Sequence, residues 1–191
     1  MNFHRLSIEI GQAVRNFWYE RTNRGIYLPR AKLHVNSYFT SWLNDGPAVD
    51  DQNVVTDEGI FNLETIFFAG GSVPAAFYIE PFSANAVPAS STTAANFNST
   101  LTEQTNYSQA GRVAWTPGAS SGGAIANTAS PAQFTINAAT QNAYGAGLVT
   151  VSTKLSGTGF LYAAAQFSTP KLAMGVGDNL YVVYTMSLVS S

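Results

Sequence analysis

The stretch NLYVVYTMSLV, residues 179–189, sets Leu180, Val182, Tyr184, Met186 and Leu188 on every second position. Side chains two apart share one face of a strand, so this run reads as β-structure with a continuous apolar face. Its other face, Tyr181, Val183, Thr185, Ser187 and Val189, is only half polar. A strand of that kind is covered on both sides, by a second sheet or by a neighbouring subunit, which makes Tyr181, Val183 and Val189 candidate core or subunit-interface positions. Upstream, AAFYIEPF, YSQAGRVAW, AQFTINA, GAGLVTVST and TGFLYAAAQF are runs of the same character, separated by clusters of Gly, Pro, Ser and Asn. Many strands divided by turn residues predict an all-β, jelly-roll-like antiparallel β-sandwich from about residue 72 onward.

Before the strands, Thr56 stands as an N-cap to Asp57 and Glu58, whose charges suit the positive end of a helix dipole. Ile60, Leu63 and Phe67 then recur up to Gly70-Gly71, so residues 57–68 are expected as one short helix. IYLPRAKLHVNSYFTSW, residues 26–42, suggests a short edge strand after an extended linker, because Pro29 cannot donate to a ladder. LNDGPAVDDQN reads as a loop. In the first 25 residues Leu6, Ile10, Val14 and Phe17 recur at helical spacing, and Gly25 supplies a stop. The expected division is therefore an N-terminal helix and extended docking arm over 1–54, and a sandwich domain with its short helix over 55–191. Residues 83–106 are polar, small and long for a structureless connection, which points to an exposed functional loop or one packed only in an assembly.

A chain of 191 residues suits one well-buried domain. It has no cysteine, which removes disulfides, thiolate metal sites and cysteine nucleophiles. Charged residues are 10% of the chain, against about 25% in ordinary soluble domains. Two explanations stay open: surface committed to contacts between subunits, or a β-rich surface solubilised by Ser, Thr and Asn. Charge is also segregated, with a net of +4 over residues 1–32, −8 over 33–103 and +2 over 104–191. The basic arm interleaves Arg15, Arg21 and Arg24 with Leu6, Ile10, Val14, Phe17 and Trp18, a candidate protein-docking interface. Adjacent basic residues suited to nucleic acid are missing from it. No apolar window long enough for a membrane span or a signal-peptide core is present, so the expected product is made in the cytoplasm and binds neither nucleic acid nor membrane.

Gly118-Ala119-Ser120-Ser121-Gly122 matches G-x-S-x-G, the turn that presents a nucleophilic serine. That chemistry needs a strand before the motif, a helix after it and a positioned His and carboxylate. GAIANTASP follows without helical period, and the only histidines are His4 and His34. GVGDNL, residues 175–180, lacks the remaining parts of a dinucleotide loop and reads as a turn. Asp45, Asp50 and Asp51, with Asp57 beyond, are better explained as a solvated loop and a helix-cap acid than as a calcium site. Trp115 and Tyr144 are either sugar-stacking aromatics or core and interface residues. The chain is accordingly expected to be no enzyme and to use no cofactor or metal.

The segments VVTDEGIFNLETIFFAGG, YSQAGRVAWTPGASSGGAIANTASPAQFTINA, VSTKLSGTGFLYAAAQF and GVGDNLYVVYTMSLV, in this order and spacing, resemble a family of small structural proteins of tailed bacteriophages. The pattern's landmarks fall at Val55 to Gly59, Arg112 to Gly118, Ser152 to Lys154 and Gly177 to Ser187. The resemblance spans about 55–191 and leaves the arm outside. It implies a virion component built from turn residues and strand periodicity, without a catalytic group. Within that class the leading expectation is a capsid cement or decoration protein, trimeric, whose arm contacts the major capsid protein of the head shell. The alternative is a tail or fibre protein that binds a host-surface glycan, to which the 83–106 loop points.

Overall fold

The computed structural model describes residues 19–21, 27–29 and 33–190, with side-chain surroundings given for 35–187. The described residues before position 36 belong to one compact unit, and residues 36–187 form another. In the first, β1 (Tyr19–Arg21) pairs antiparallel with β2 (Tyr27–Pro29), placing Tyr19 opposite Pro29 and Arg21 opposite Tyr27. This corrects the expected helix near Gly25: the aromatic residues Tyr19 and Tyr27 favour a pleated pair there over a helical turn. The helical stripe at Leu6, Ile10, Val14 and Phe17 lies outside the described residues, as do Trp18, Arg15 and Arg24.

The second unit is an antiparallel β-sandwich. One sheet runs in the order β5 (Val54–Val55), β11 (Leu161–Met174), β10 (Gln141–Val149), β6 (Phe77–Phe82), β7 (Val113–Trp115). The other runs β4 (Val49–Gln52), β3 (Leu33–Leu43), β12 (Asn179–Ser190), β8 (Ala124–Ala126), and β9 (Ala132–Thr135) also pairs with β12. The chain passes back and forth between the sheets in groups, β3 and β4, then β5 to β7, then β8 and β9, then β10 and β11, and last β12. Two expectations change here. Leu33–Leu43 is an inner strand, paired between β4 and β12 with Phe39 fully buried in the core, and Val49–Gln52 is a strand on its flank where a loop was expected. The sandwich therefore begins well before position 55.

Leu180, Val182 and Tyr184 meet Phe39, Phe134, Ile79 and Leu148 between the sheets, as the period-two face of β12 requires. Trp115 of one sheet donates its indole N–H to the Tyr184 carbonyl of the other at 3.0 Å, joining the two layers. The opposite face of β12 is covered too: Val183 is buried and Tyr181 stacks on Trp42 at 5.2 Å between ring centres. Between β8 and β9 the ladder on β12 is interrupted. Asn127 fills the gap, accepting from the Tyr184 N–H at 2.8 Å and donating to the Val182 carbonyl at 3.3 Å.

The outer face of the first sheet carries a second core. Phe82, Val149, Leu161 and Ala164 pack with Ala94, Phe97 and Leu101, which belong to the long polar connection. A helical turn, α2 (Phe97–Thr100), brings Phe97 and Leu101 onto the same side. Residues 83–106 are thus anchored to the protein's own sheet by a few apolar residues hidden among Ser, Thr and Asn. Between them α1 (Asp57–Ala69) lies on β11, capped at one end by Thr56, whose side chain accepts from the Gly59 N–H, and closed by left-handed Gly70. Gly59 permits the approach, since a Cβ there would sit 2.7 Å from the Tyr162 Cα.

Candidate functional site

Helix α1 carries the Ile60, Leu63 and Phe67 series from which a helix over residues 57–68 was expected, and one of the three faces the core. Only Leu63 of these packs against it. Ile60, Phe61, Phe67 and Phe68 lie on one outward stripe, the pairs being seven apart and therefore about two helical turns removed. Their exposures rise along the helix, from 40% for Ile60 and 64% for Phe61 to 75% for Phe67 and 89% for Phe68. Three phenylalanines on one solvent-facing helix are costly to hydrate, and contiguous exposed apolar patches mark interaction sites.

Beside the N-terminal half of the same helix is an open cleft of about 520 Å³, walled by Asp57, Glu58, Phe61, Asn62 and Thr65, by Ser90, Ser91 and Thr93, and by Phe160. Its walls are fixed from behind. Glu58 accepts the Ala94 and Leu161 N–H groups at 2.8 and 2.7 Å, tying the helix to both the loop and β11. Asp57 donates its N–H to the Ser90 carbonyl at 2.9 Å and accepts from the Ser90 hydroxyl at 3.3 Å. Asn62 accepts the Tyr162 hydroxyl, and burial pushes that phenol up to about 12. Asn96 latches the loop by accepting from the Thr93 N–H at 2.9 Å.

A third constellation gathers two landmarks of the sequence pattern, Arg112 and Lys154. Arg112 donates through Nε and Nη2 to Glu103 at 3.0 and 2.8 Å, and reaches the Val151 and Ser156 carbonyls. Glu80 lies 2.6 Å from the same Nη2, poorly aligned for a hydrogen bond, and all three side chains are essentially inaccessible. Burial, opposed by Arg112 and reinforced by Glu103, holds the Glu80 carboxyl well above its usual range. Lys154 caps the Tyr107 ring at 3.5 Å and donates to the Thr105 and Tyr107 carbonyls. Desolvation lowers its pKa. With no opening to solvent at Arg112, Glu103 or Glu80, this is an internal brace joining β6, β7 and the turns around 105 and 154.

The remaining sequence candidates separate. Trp115 is core, Tyr144 packs against the second core, Tyr181 and Val183 cover β12, and the Val189 side chain lies outside the described residues. Arg21 is in β1, again without described side-chain surroundings. Gly118 to Gly122 leads into a tight reversal in which Ser121 and Ala124 exchange hydrogen bonds around left-handed Gly122 and Gly123; strand β8 follows, where a nucleophile elbow requires a helix. GVGDNL is a turn, with Asp178 accepting from the Gly175 N–H at 2.7 Å. Asp50 bonds Thr40 and Asp51 bonds the Ser168 N–H, so the acidic loop is dispersed. Among the described residues no three His, Asp or Glu side chains are placed to hold a metal ion, and no helix is long and apolar enough to cross a membrane.

What fold and surfaces define together is a class: an antiparallel β-sandwich with a buried ionic brace and an apolar helix on its outside. No protein-family model matches the chain, and neither a curated protein nor a solved structure matches it.

The sequence signal for the exposed stripe was present in Ile60-Phe61 and Phe67-Phe68, but its direction was not. A helix bearing apolar residues on most of its circumference does not declare which side meets the sheet. Gly59 was the missing clue, because the side lacking a side chain is the side that approaches closest.

Proposed function

We propose that this chain is a structural component of a tailed-bacteriophage particle, a cement or decoration protein that docks on the head shell and self-associates there as a trimer. The observation that carries the reading is the outward stripe of Phe61, Phe67 and Phe68 on a helix braced against a rigid sandwich. Docking buries such a stripe, and binding to the folded shell stabilises it by mass action. The order of Val55 to Gly59, Arg112 to Gly118, Ser152 to Lys154 and Gly177 to Ser187, similar to that of phage structural proteins, supports the particle context. The major capsid protein is the partner in this reading, and the basic, apolar segment 1–24 makes a second contact with it. The 83–106 loop, which favoured a glycan receptor on a tail, is mostly committed to its own sheet through Ala94, Phe97 and Leu101.

The test uses purified capsids and host cells, with the full chain, a variant lacking residues 1–24, and the double variant Phe67→Ser/Phe68→Ser. The reading expects both variants to lose head occupancy while cell binding is unchanged. Full head occupancy by both variants overturns it, as does labelling of intact particles that places the chain at the tail tip.

A further inference from the structure

We propose that the cleft between α1 and the Ser90–Thr93 loop is a binding site for a neutral saccharide. Two aromatic rings border it, Phe61 at 64% and Phe160 at 40% exposure, and no cation lines it. One face of a pyranose ring is a row of C–H groups with partial positive charge, which suits the negative face of an aromatic ring. The other requirement is a set of fixed donors and acceptors for hydroxyls, each of which gives one hydrogen bond and takes others.

The cleft supplies that set with capacity to spare. Among the described residues the Asp57 carboxylate is engaged only by the Ser90 hydroxyl, which leaves acceptor positions for sugar hydroxyls. Asn62 uses its amide oxygen on Tyr162, which turns the NH₂ into the available donor. The Ser91 hydroxyl serves as either. Because Glu58, Asn96 and the Asp57–Ser90 pair hold the walls in place, little ordering cost falls on the ligand. The volume of about 520 Å³ lies within the usual range for small-molecule sites, and its open form admits an internal stretch of a glycan.

Charge decides the sugar class. Asp57 and Glu58 line the cleft, and residues 33–103 contain no Lys or Arg. Sialylated, uronic or phosphorylated glycans meet like charge there, whereas neutral hexose and N-acetylhexosamine units do not. A cationic peptide is the competing ligand chemistry, but Glu58 already gives its Oε2 to two backbone N–H groups, and the Phe61 and Phe160 rings supply apolar faces suited to sugar C–H groups. The cleft shares Phe61 with the docking stripe, but head docking is tested at Phe67 and Phe68, at the far end of α1 and outside the cleft lining, so each reading can fail alone.

Saturation-transfer NMR on the full chain with maltotriose, chitotriose, lactose and 3′-sialyllactose, backed by a printed glycan panel, tests this. At least one neutral saccharide is expected to bind, with methyl and aromatic transfer from the Phe61 and Phe160 region. Phe61→Ala and Asp57→Asn should each weaken it tenfold or more while circular dichroism and melting stay close to the parent. Three results overturn the proposal: no neutral glycan bound; a neutral glycan bound equally by Phe61→Ala, Phe160→Ala and Asp57→Asn; or 3′-sialyllactose or an oligolysine peptide bound in preference at these residues.

Discussion

The buried carboxyl of Glu80 lies 2.6 Å from Arg112 Nη2, while Glu103 takes the two well-aligned hydrogen bonds of the same guanidinium. One cation therefore faces two carboxyls in a site closed to solvent, and the arrangement is neutral when Glu80 holds a proton. The raised pKa of Glu80 has this cause: desolvation outweighs an attraction to Arg112 that Glu103 already claims.

A pH dependence of stability follows. The Glu80 pKa is raised in the folded state above the ordinary 4.5, so its contribution is fully present below that value and is lost as pH rises through the folded pKa. Over that window the single group lowers unfolding free energy by up to about 1.4 kcal/mol per pH unit. Urea denaturation of the parent and of Glu80→Gln across pH 4 to 9 checks it. The difference between the two should grow in favour of Glu80→Gln as pH rises, and parallel curves would contradict the assignment.

Removing the guanidinium is predicted to do more harm than removing Glu80. Arg112→Met leaves Glu103 buried without its partner, a loss of about 3–5 kcal/mol for breaking a buried pair from one side. Arg112→Lys should not restore it, since an ammonium cannot reproduce the forked bond to Glu103 together with the Val151 and Ser156 contacts. Melting curves of the two variants, with Arg112→Met/Glu103→Gln as the paired removal, measure the effect.

Phe97 is fully buried although it sits in the most polar stretch of the chain. Phe97→Ala is expected to cost about 3–5 kcal/mol and to expose residues 83–106 to limited proteolysis. A stability within about 0.5 kcal/mol of the parent would mean that the loop does not hold its place on the outer face of the sheet.

Gly59→Ala opposes two effects of known size. Alanine improves helix propensity by about 1 kcal/mol. Against that, its Cβ meets the Tyr162 Cα at 2.7 Å and the Tyr162 carbonyl oxygen at 2.8 Å, both backbone atoms, and overpacking of this kind costs about 1–3 kcal/mol. Net destabilisation is expected, with α1 lifting from β11 and amide exchange rising along residues 57–69. A melting temperature above the parent's would show that the helix shifts without penalty.

Asn127 gives a local version of the same test. Asn127→Leu removes the acceptor of the Tyr184 N–H and the donor to the Val182 carbonyl in the interior, at about 1–3 kcal/mol for each buried group left unsatisfied. Asn127→Asp keeps the acceptor, and its carboxyl has a donor only while protonated, so its deficit against the parent in chemical denaturation should be small near pH 4 and grow as pH rises and a buried charge forms.

By itself the sequence determined the elements whose cause is local. The strict alternation at Leu180, Val182 and Tyr184 made β12 a strand covered between two layers, and Thr56 with Gly70 set the ends of α1. The turn residues of GASSG and GVGDNL made turns. Tertiary structure decided whatever depended on partners distant in the chain: that Leu33–Leu43 lies inside a sheet, that Phe97 and Leu101 pull a polar loop onto β10 and β11, and that Arg112 joins Glu80, Glu103 and the turn at Lys154. It also decided which side of α1 faces outward. The reason is common to all of these. Periodicity reports that a side chain has an apolar or polar neighbourhood, but which surface supplies that neighbourhood is fixed only when strands and loops close on one another, and the Phe61, Phe67 and Phe68 stripe is what that closure leaves uncovered.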